Sequence, residues 1–292
     1  RCADVTGVQT CALPIWASHA FPYGVPTIAS LRRLEFTRPV TLLVGENGTG
    51  KSTLLEALAV ATELPAVGSA RPSSDPTLAA VRGLARELRL VWRRRTRRGF
   101  FLRAEDFFGF QRRLRVDRAD HETELRRVQE ELEDASDWAR RLAEGPHRAS
   151  IADMDRRYGT DPDAMSHGEA FLNLFANRLA PAGLYLLDEP EAALSPQSQL
   201  GFLAMIRDAL DQGSQFIIAT HAPILMATPG AAILDFDGGD VRPADFDQLE
   251  SVALVRDFLA APERYLNRIW GEPISDAEAP ASPGSGFSTG ED

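Results

Sequence analysis

Cysteine is nearly absent from this chain: Cys2 and Cys11 are the only two, and everything after position 11 is free of thiols. A disulfide framework is therefore excluded as the organising element of the fold. Long apolar runs are missing too, since no stretch approaches the about eighteen uninterrupted apolar residues that a membrane-crossing helix requires. Internal repeats are also lacking. Positive charge is in deficit: 32 Lys and Arg stand against 42 Asp and Glu, a formal net charge of -10. That balance disfavours non-specific binding of nucleic acid or anionic membranes by the molecule as a whole, although it does not exclude a local basic patch. What the chain has in quantity is apolar residues, 44% of 292. That is enough for one large domain or two small ones, with a core that needs no metal or disulfide to hold it.

Residues 1–16 are set aside from the fold reading, because Val5–Ile15 resembles the in-frame translation of a sequencing-library adapter; on that reading the native start is missing. A short natural tail or a weak secretory segment is the alternative. Pro39–Val44 is a β-branched and Leu-rich run bounded by Pro and Gly, which suits a buried strand, and Lys51–Leu64 follows helical spacing. From Pro72 to Val91 the chain is polar and Pro-containing, then helical, and Gly99–Leu102 reads as a short strand. Leu125, Val128, Leu132, Ala135, Trp138 and Leu142 recur at intervals of three and four, predicting one amphipathic helix over 117–145. Helices at 166–179, 196–210 and 251–270 alternate with strands at 183–187 and 215–220, and 231–241 reads as a terminal hairpin. The alternation predicts an α/β fold with a mostly parallel sheet sandwiched by helices and a small helical insertion lobe at about 84–160. The main domain is expected over 17–271. Beyond it, 272–292 is too rich in Pro, Ser, Gly and acidic residues to order itself.

Gly45–Ser52 reads G-E-N-G-T-G-K-S, a match to G-x-x-x-x-G-K-[ST] between an expected strand and an expected helix. Glycines at 45, 48 and 50 let the backbone curl so that successive N–H groups face a phosphate, and the helix N-terminus adds its positive end. Lys51 is placed to reach the β- and γ-phosphates, and the Ser52 hydroxyl to coordinate Mg²⁺. A generic Gly-rich turn is the plain alternative, disfavoured by the strand–loop–helix context. Leu184–Leu187 then runs into Asp188 and Glu189, and two carboxylates ending an apolar strand call for a cation or a substrate. Asp188 suits the Mg²⁺ side, and Glu189 suits orientation and deprotonation of an attacking water.

Ser166-His-Gly-Glu169 fits a helix capping box, and the same helix end, through the Ser166 hydroxyl and the Gly168 N–H, also suits a γ-phosphate bound to a second copy. His221 follows the strand 216–220, at the strand end where open α/β sheets bind ligands, with a structural histidine as the plain alternative. Arg93, Arg94, Arg95, Arg97 and Arg98, followed by Arg103, Arg112, Arg113, Arg115 and Arg118, form a basic segment. Its simpler reading is a solvated face paired with acidic residues of the next helix; the other is an anionic or nucleic-acid partner.

Together G-E-N-G-T-G-K-S-T, S-H-G-E, Y-L-L-D-E-P-E-A-A-L-S-P and F-I-I-A-T-H-A-P resemble the ABC-type P-loop ATPase superfamily, specifically its small non-transporter AAA-family ATPases, over about residues 21–270. The resemblance implies ATP and Mg²⁺ as cofactors, a cytoplasmic location, and an ATP-dependent homodimer. It assigns Gly45, Glu46, Asn47, Gly48, Thr49, Gly50, Lys51, Ser52 and Thr53 to the Walker A loop, Ser166–Glu169 to the signature, and Leu184–Glu189 to Walker B. Glu191–Ser195 becomes the D-loop and His221 the switch histidine. Lys51, Glu189 and His221 are then the catalytic candidates, with Ser52 and Asp188 on the metal. His167 and Glu169 replace the Gly and Gln usual in transporters, which moves the chain towards recombination-repair and chromosome-maintenance ATPases. No clear Q-loop glutamine stands out; Glu105 and Gln111 are the candidates. The activity implied is Mg-dependent hydrolysis at a composite dimer site acting on a macromolecule, DNA among the options. A transporter subunit and a non-hydrolysing switch or DNA-binding scaffold are the alternatives.

Overall fold

A computed structural model describes residues 7–12, 20–68, 75–159 and 165–271, so the expected tail at 272–292 lies outside the described residues. The chain forms two compact units, Arg1–Phe246 and Asp247–Asp292. In chain order the first carries β1 (Gly7–Ala12), α1 (Pro26–Ser30), β2 (Arg33–Glu35), β3 (Val40–Val44), α2 (Lys51–Thr62), α3 (Arg82–Glu87), β4 (Arg89–Arg94) and β5 (Gly99–Arg103). It continues through α4 (Ala104–Glu131), α5 (Asp137–Tyr158), α6 (His167–Arg178), β6 (Leu184–Asp188), α7 (Pro196–Asp211), β7 (Gln215–Ala219), α8 (Pro223–Met226), β8 (Ala232–Asp235) and β9 (Arg242–Ala244). The second carries α9 (Glu250–Ala260) and α10 (Pro262–Trp270). No helix among the described residues is long and apolar enough to cross a membrane.

The larger sheet has the order β5-β6-β7-β3-β8-β9, parallel except for the antiparallel β8–β9 edge. Every residue of β3, β6 and β7 is buried, as expected of parallel strands covered on both faces. Leu54 and Leu58 of α2 pack on one face with Leu43, Leu186 and Ile217. Elsewhere the core is aromatic: Phe175 meets Phe202 at 4.8 Å, and Tyr185 stacks on Phe216 at 4.9 Å. Each such fully buried Leu or Phe stabilises by about 1.5–3 kcal/mol. The strands end in register, with Arg103 opposite Asp188, Asp188 opposite Ala219, Leu43 opposite Ala219 and Val44 opposite Asp235. The loops leaving β3, β5, β6, β7 and β8 therefore emerge along one edge.

Four expectations change. Residues 7–12, left out of the sequence reading of the fold, form the middle strand of a second sheet, β2-β1-β4. The Gln215 amide holds that strand, accepting from the Val8 N–H at 2.8 Å and donating to its carbonyl at 2.9 Å. The helix expected up to Val91 stops at Glu87, and Arg89–Arg94 is a strand in which Leu90 and Trp92 turn inward while Arg89, Val91 and Arg93 face solvent, a period of two. The single helix expected over 117–145 is a hairpin of α4 and α5. Ser136 caps α5 by accepting from the Ala139 N–H, and that local cap prevails over the apolar spacing that runs through it. Arg118 to Asp155 at 2.5 Å and His121 Nδ1 to His147 Nδ1 at 3.1 Å tie the two helices together. The helix expected over 251–270 divides before Pro262, which lacks the N–H to continue it. The hairpin expected at 231–241 forms from β8 and β9, with its second strand, Arg242–Ala244, just past the expected end.

Candidate functional site

The glycine loop leaves the end of β3 and enters α2 as the motif requires. Gly45, Gly48 and Gly50 have φ of 135°, 82° and 101°, conformations open to glycine and costly to other residues. Glu46, Asn47 and Gly48 are exposed, whereas Gly50, Lys51 and Thr53 are buried. Thr49 Oγ1 donates to the Glu46 carbonyl at 2.8 Å, and Thr27 Oγ1 donates to the Thr49 carbonyl, bracing the curl from both sides.

Lys51 is only 3% exposed and donates through Nζ to the carbonyls of Gly45 and Glu46, each at 2.7 Å. Burial lowers its pKa, and Glu189, Asp237, Asp188 and Glu46 hold it up in part. Ser52 Oγ donates to Asp188 Oδ1 at 3.0 Å across 136 positions of sequence. Asp188 is 8% exposed, and burial pushes its carboxyl up to about 7; the Ser52 hydrogen bond opposes this, Glu189 and Glu56 add to it, and Lys51 opposes it. A carboxylate so destabilised is one that a cation would stabilise. The Ser52–Asp188 pair beside the buried Lys51 thus fits Mg²⁺ and the phosphates of a nucleotide.

Glu189 adopts the left-handed conformation, φ 50° and ψ 51°, immediately before Pro190. For a residue with a Cβ this costs about 1–2 kcal/mol, a strain that concentrates at functional positions. Its backbone N–H is anchored to the Ala219 carbonyl at 2.9 Å. From just past the neighbouring strand, His221 brings Nε2 to 3.6 Å from Glu189 Oε1, too long for a hydrogen bond, and that nitrogen is buried with no hydrogen-bond partner among the described residues. The His221 backbone N–H donates to Glu191 Oε1 at 2.6 Å, so the D-loop candidate fixes the backbone of the switch candidate.

Ser166 and Gly168 do not join this cluster within one chain. Ser166 forms the complete capping box with Glu169, and a Cβ on Gly168 would stand 2.7 Å from Ser198 Oγ at the start of α7. Among the described residues neither hydrogen-bonds to Gly45–Thr53. Of the two Q-loop candidates, Glu105 lies two positions past the end of β5, exposed and paired with Arg103 at 3.2 Å. Gln111 lies farther along α4, beside Phe107, Phe110 and Tyr158.

Two residues that the sequence did not assign to the site stand beside it. Asp237, just past β8, accepts from the Glu46 N–H at 2.7 Å and contributes to the field on Lys51. Arg103, the cross-strand partner of Asp188, is 7% exposed and gathers four carboxylates: Asp106 at 2.9 Å, Glu105 at 3.2 Å, Glu56 at 3.4 Å and Asp75 at 3.7 Å. The only local signal was an Arg ending the Phe-Phe-Leu strand.

The arginine segment follows its simpler reading only in part. Arg118 does pair with Glu122 on its own helix, at 2.9 Å, and Arg103 with Asp106. Arg93, Arg94, Arg95, Arg97 and Arg98 are all exposed, and among the described residues none of them has an ion pair; Arg98 donates to the Pro181 carbonyl at 3.4 Å.

Comparison with known proteins adds a family. Residues 27–83 match the sequence pattern described as "AAA domain", and residues 66–227, more than half the chain, match the one described as "AAA domain, putative AbiEii toxin, Type IV TA system". The cobalt import ATP-binding protein CbiO of Salmonella typhi is 29% identical over 207 residues, covering 69% of each chain. A protein of Streptomyces avermitilis described as "Putative ABC transporter ATP-binding protein" is 28% identical over 241 residues, which are 80% of this chain and 38% of that protein. Among solved structures, the Smc head domain of Pyrococcus furiosus bound to the C-terminal domain of ScpA covers 87% of this chain and 100% of that one, at 14% identity and a TM-score of 0.45. CbiO1 of Clostridium perfringens covers 92% and 100%, at 17% identity and a TM-score of 0.43. Structural likenesses this loose carry no function across.

Proposed function

The chain belongs to the AAA-domain family and is a P-loop ATPase, and on that premise we propose that it binds Mg-ATP at Gly45–Thr53 and hydrolyses it in a site completed by Ser166 and Gly168 of a second copy. One observation carries the reading. Lys51, Ser52, Asp188, Glu189 and His221 converge at one edge of the parallel sheet, where His221 Nε2 is buried without a hydrogen-bond partner among the described residues, 3.6 Å from Glu189 Oε1. Lys51 Nζ exchanges the loop carbonyls for the β- and γ-phosphate oxygens. Ser52 and Asp188 would hold Mg²⁺, which would supply positive charge against the phosphates. Glu189 orients the attacking water and accepts its proton at a carboxylate oxygen, while His221 Nε2 faces the γ-phosphate. Release of phosphate frees the two copies to separate, and this cycle works on a macromolecular partner.

Phosphate release from Mg-ATP tests the first half: turnover by the natural chain and at least about a hundredfold less by Lys51→Ala is the expected pair. Equal rates would overturn the site. The likeness to cobalt import ATP-binding proteins favours a second reading, the energising subunit of a membrane complex. Sedimentation of the tagged chain with membranes of its own cells, released by alkaline wash, would support that reading over a free ATPase.

A further inference from the structure

Acidic residues outnumber basic ones by 42 to 32 in this protein, so an arginine has no shortage of carboxylates to meet. In the helical hairpin Arg118, Arg127, Arg148, Arg156 and Arg157 each pair with an Asp or Glu, whereas Arg112, Arg113, Arg126, Arg140 and Arg141, scattered along it, have no ion pair among the described residues. Arg93, Arg94, Arg95, Arg97 and Arg98 fall within six consecutive positions at the end of β4 and along its connection to β5, all exposed, and none has such a pair among the described residues. Their mutual repulsion is left standing in an acidic molecule. The chain's only lysine is the buried Lys51, so this basic surface is guanidinium throughout. Guanidinium is the group whose planar fork matches two phosphate oxygens at once.

The surface does not stop at Arg98. Gly99 and Phe100 line a cleft of about 340 Å³ together with Arg157, Tyr158, Asn177 and Arg178. Charge for a backbone next to a recess lined by an aromatic ring and an amide is the arrangement that suits an unpaired strand. Gly99 lies at the opposite end of β5 from Arg103, whose cross-strand partner is Asp188. A strand held there leaves the nucleotide site open, while β5 joins the two ends directly.

We propose that Arg93–Arg98 and the adjoining cleft form a binding surface for single-stranded nucleic acid, the arginines holding its phosphates and the cleft admitting a base. This names the macromolecule on which the proposed ATPase cycle works. Binding is therefore measured without ATP, and hydrolysis without oligonucleotide, so that a failure of one reading is separable from a failure of the other.

The experiment is fluorescence anisotropy of a labelled 30-nucleotide single strand, and of its duplex, against the full chain and against the variant in which all five arginines become Gln. Five arginine–phosphate contacts on a single strand give a slope of log affinity on log salt of about -3.5, or about 100-fold weaker binding at 200 mM than at 50 mM salt. The expected result is that slope for the full chain, with most of it lost in the variant, whose oligonucleotide-free phosphate release stays unchanged. No binding by the full chain, a variant that keeps both affinity and slope, or a preference for the duplex would overturn the assignment. Arginine-dependent binding to phosphatidylcholine–phosphatidylserine vesicles with none to the oligonucleotide would overturn it in favour of a membrane surface.

Discussion

Replacing Asp188 with Asn should make the nucleotide-free chain more stable above neutral pH. The carboxyl is 8% exposed, and burial holds it at about 7 in the folded state against an ordinary value of 3.8. Below about pH 4 the group is protonated folded and unfolded alike and contributes nothing. Between about 4 and 7 the folded chain keeps a proton that the unfolded chain has lost, so stability falls as pH rises; above 7 the full penalty persists. A rise of that size corresponds to about 4 kcal/mol. Part of this is offset, because the substitution also withdraws one of the carboxylates that support the Lys51 ammonium. Ser52 Oγ can still donate to the amide oxygen. The net gain should be about 2–3 kcal/mol at pH 8.5 and under about 1 kcal/mol at pH 4.5. Urea denaturation of both proteins at the two pH values reads the difference directly, since other titrating groups are common to both. Turnover should be lost, and Mg-ATP should raise the midpoint of the natural chain more than that of the variant. A variant less stable at pH 8.5, or a gain that is the same at both values, would refute the reasoning.

Two further substitutions separate structure from chemistry. Ser166→Ala removes the capping-box acceptor and should cost about 1 kcal/mol in thermal or urea unfolding. If Ser166 also meets phosphate across a dimer, phosphate release should fall at least about tenfold at temperatures where the variant is fully folded; a stability loss with turnover intact would leave it a cap alone. Gly99→Ala places a methyl 1.8 Å from the Leu184 carbonyl oxygen at φ 112°, so β5 must shift. More than about 3 kcal/mol should be lost in urea unfolding, and a change under about 1 kcal/mol would show that the strand can give way.

The glycine loop and the two carboxylates at the end of β6 were legible because each lies at a junction with its own local signature. An apolar run bounded by Pro39 and Gly45 needs no partner to be read as a buried strand, and Asp188-Glu189-Pro190 marks its own end. Arg103 and Asp237 were not legible, because what they do is set by strand neighbours. Arg103 gains its meaning from lying opposite Asp188, and Asp237 reaches the Glu46 N–H across 191 positions. The break between α4 and α5 was hidden by Leu132, Ala135 and Trp138, which keep helical spacing through the turn. Trp138 is 69% exposed and Leu142 63%, so the apolar spacing there was no record of burial. The pairing state of the five arginines likewise depends on which acids the fold carries past them.

The central claim is a hydrolysis site shared between two copies, and Glu189→Gln tests it most directly. With proton acceptance disabled and nucleotide binding intact, Mg-ATP should convert the 32.0 kDa chain into a stable species of twice that mass by light scattering, and the nucleotide-free chain should remain at the monomer mass. A variant that binds ATP to saturation and stays monomeric would contradict the claim.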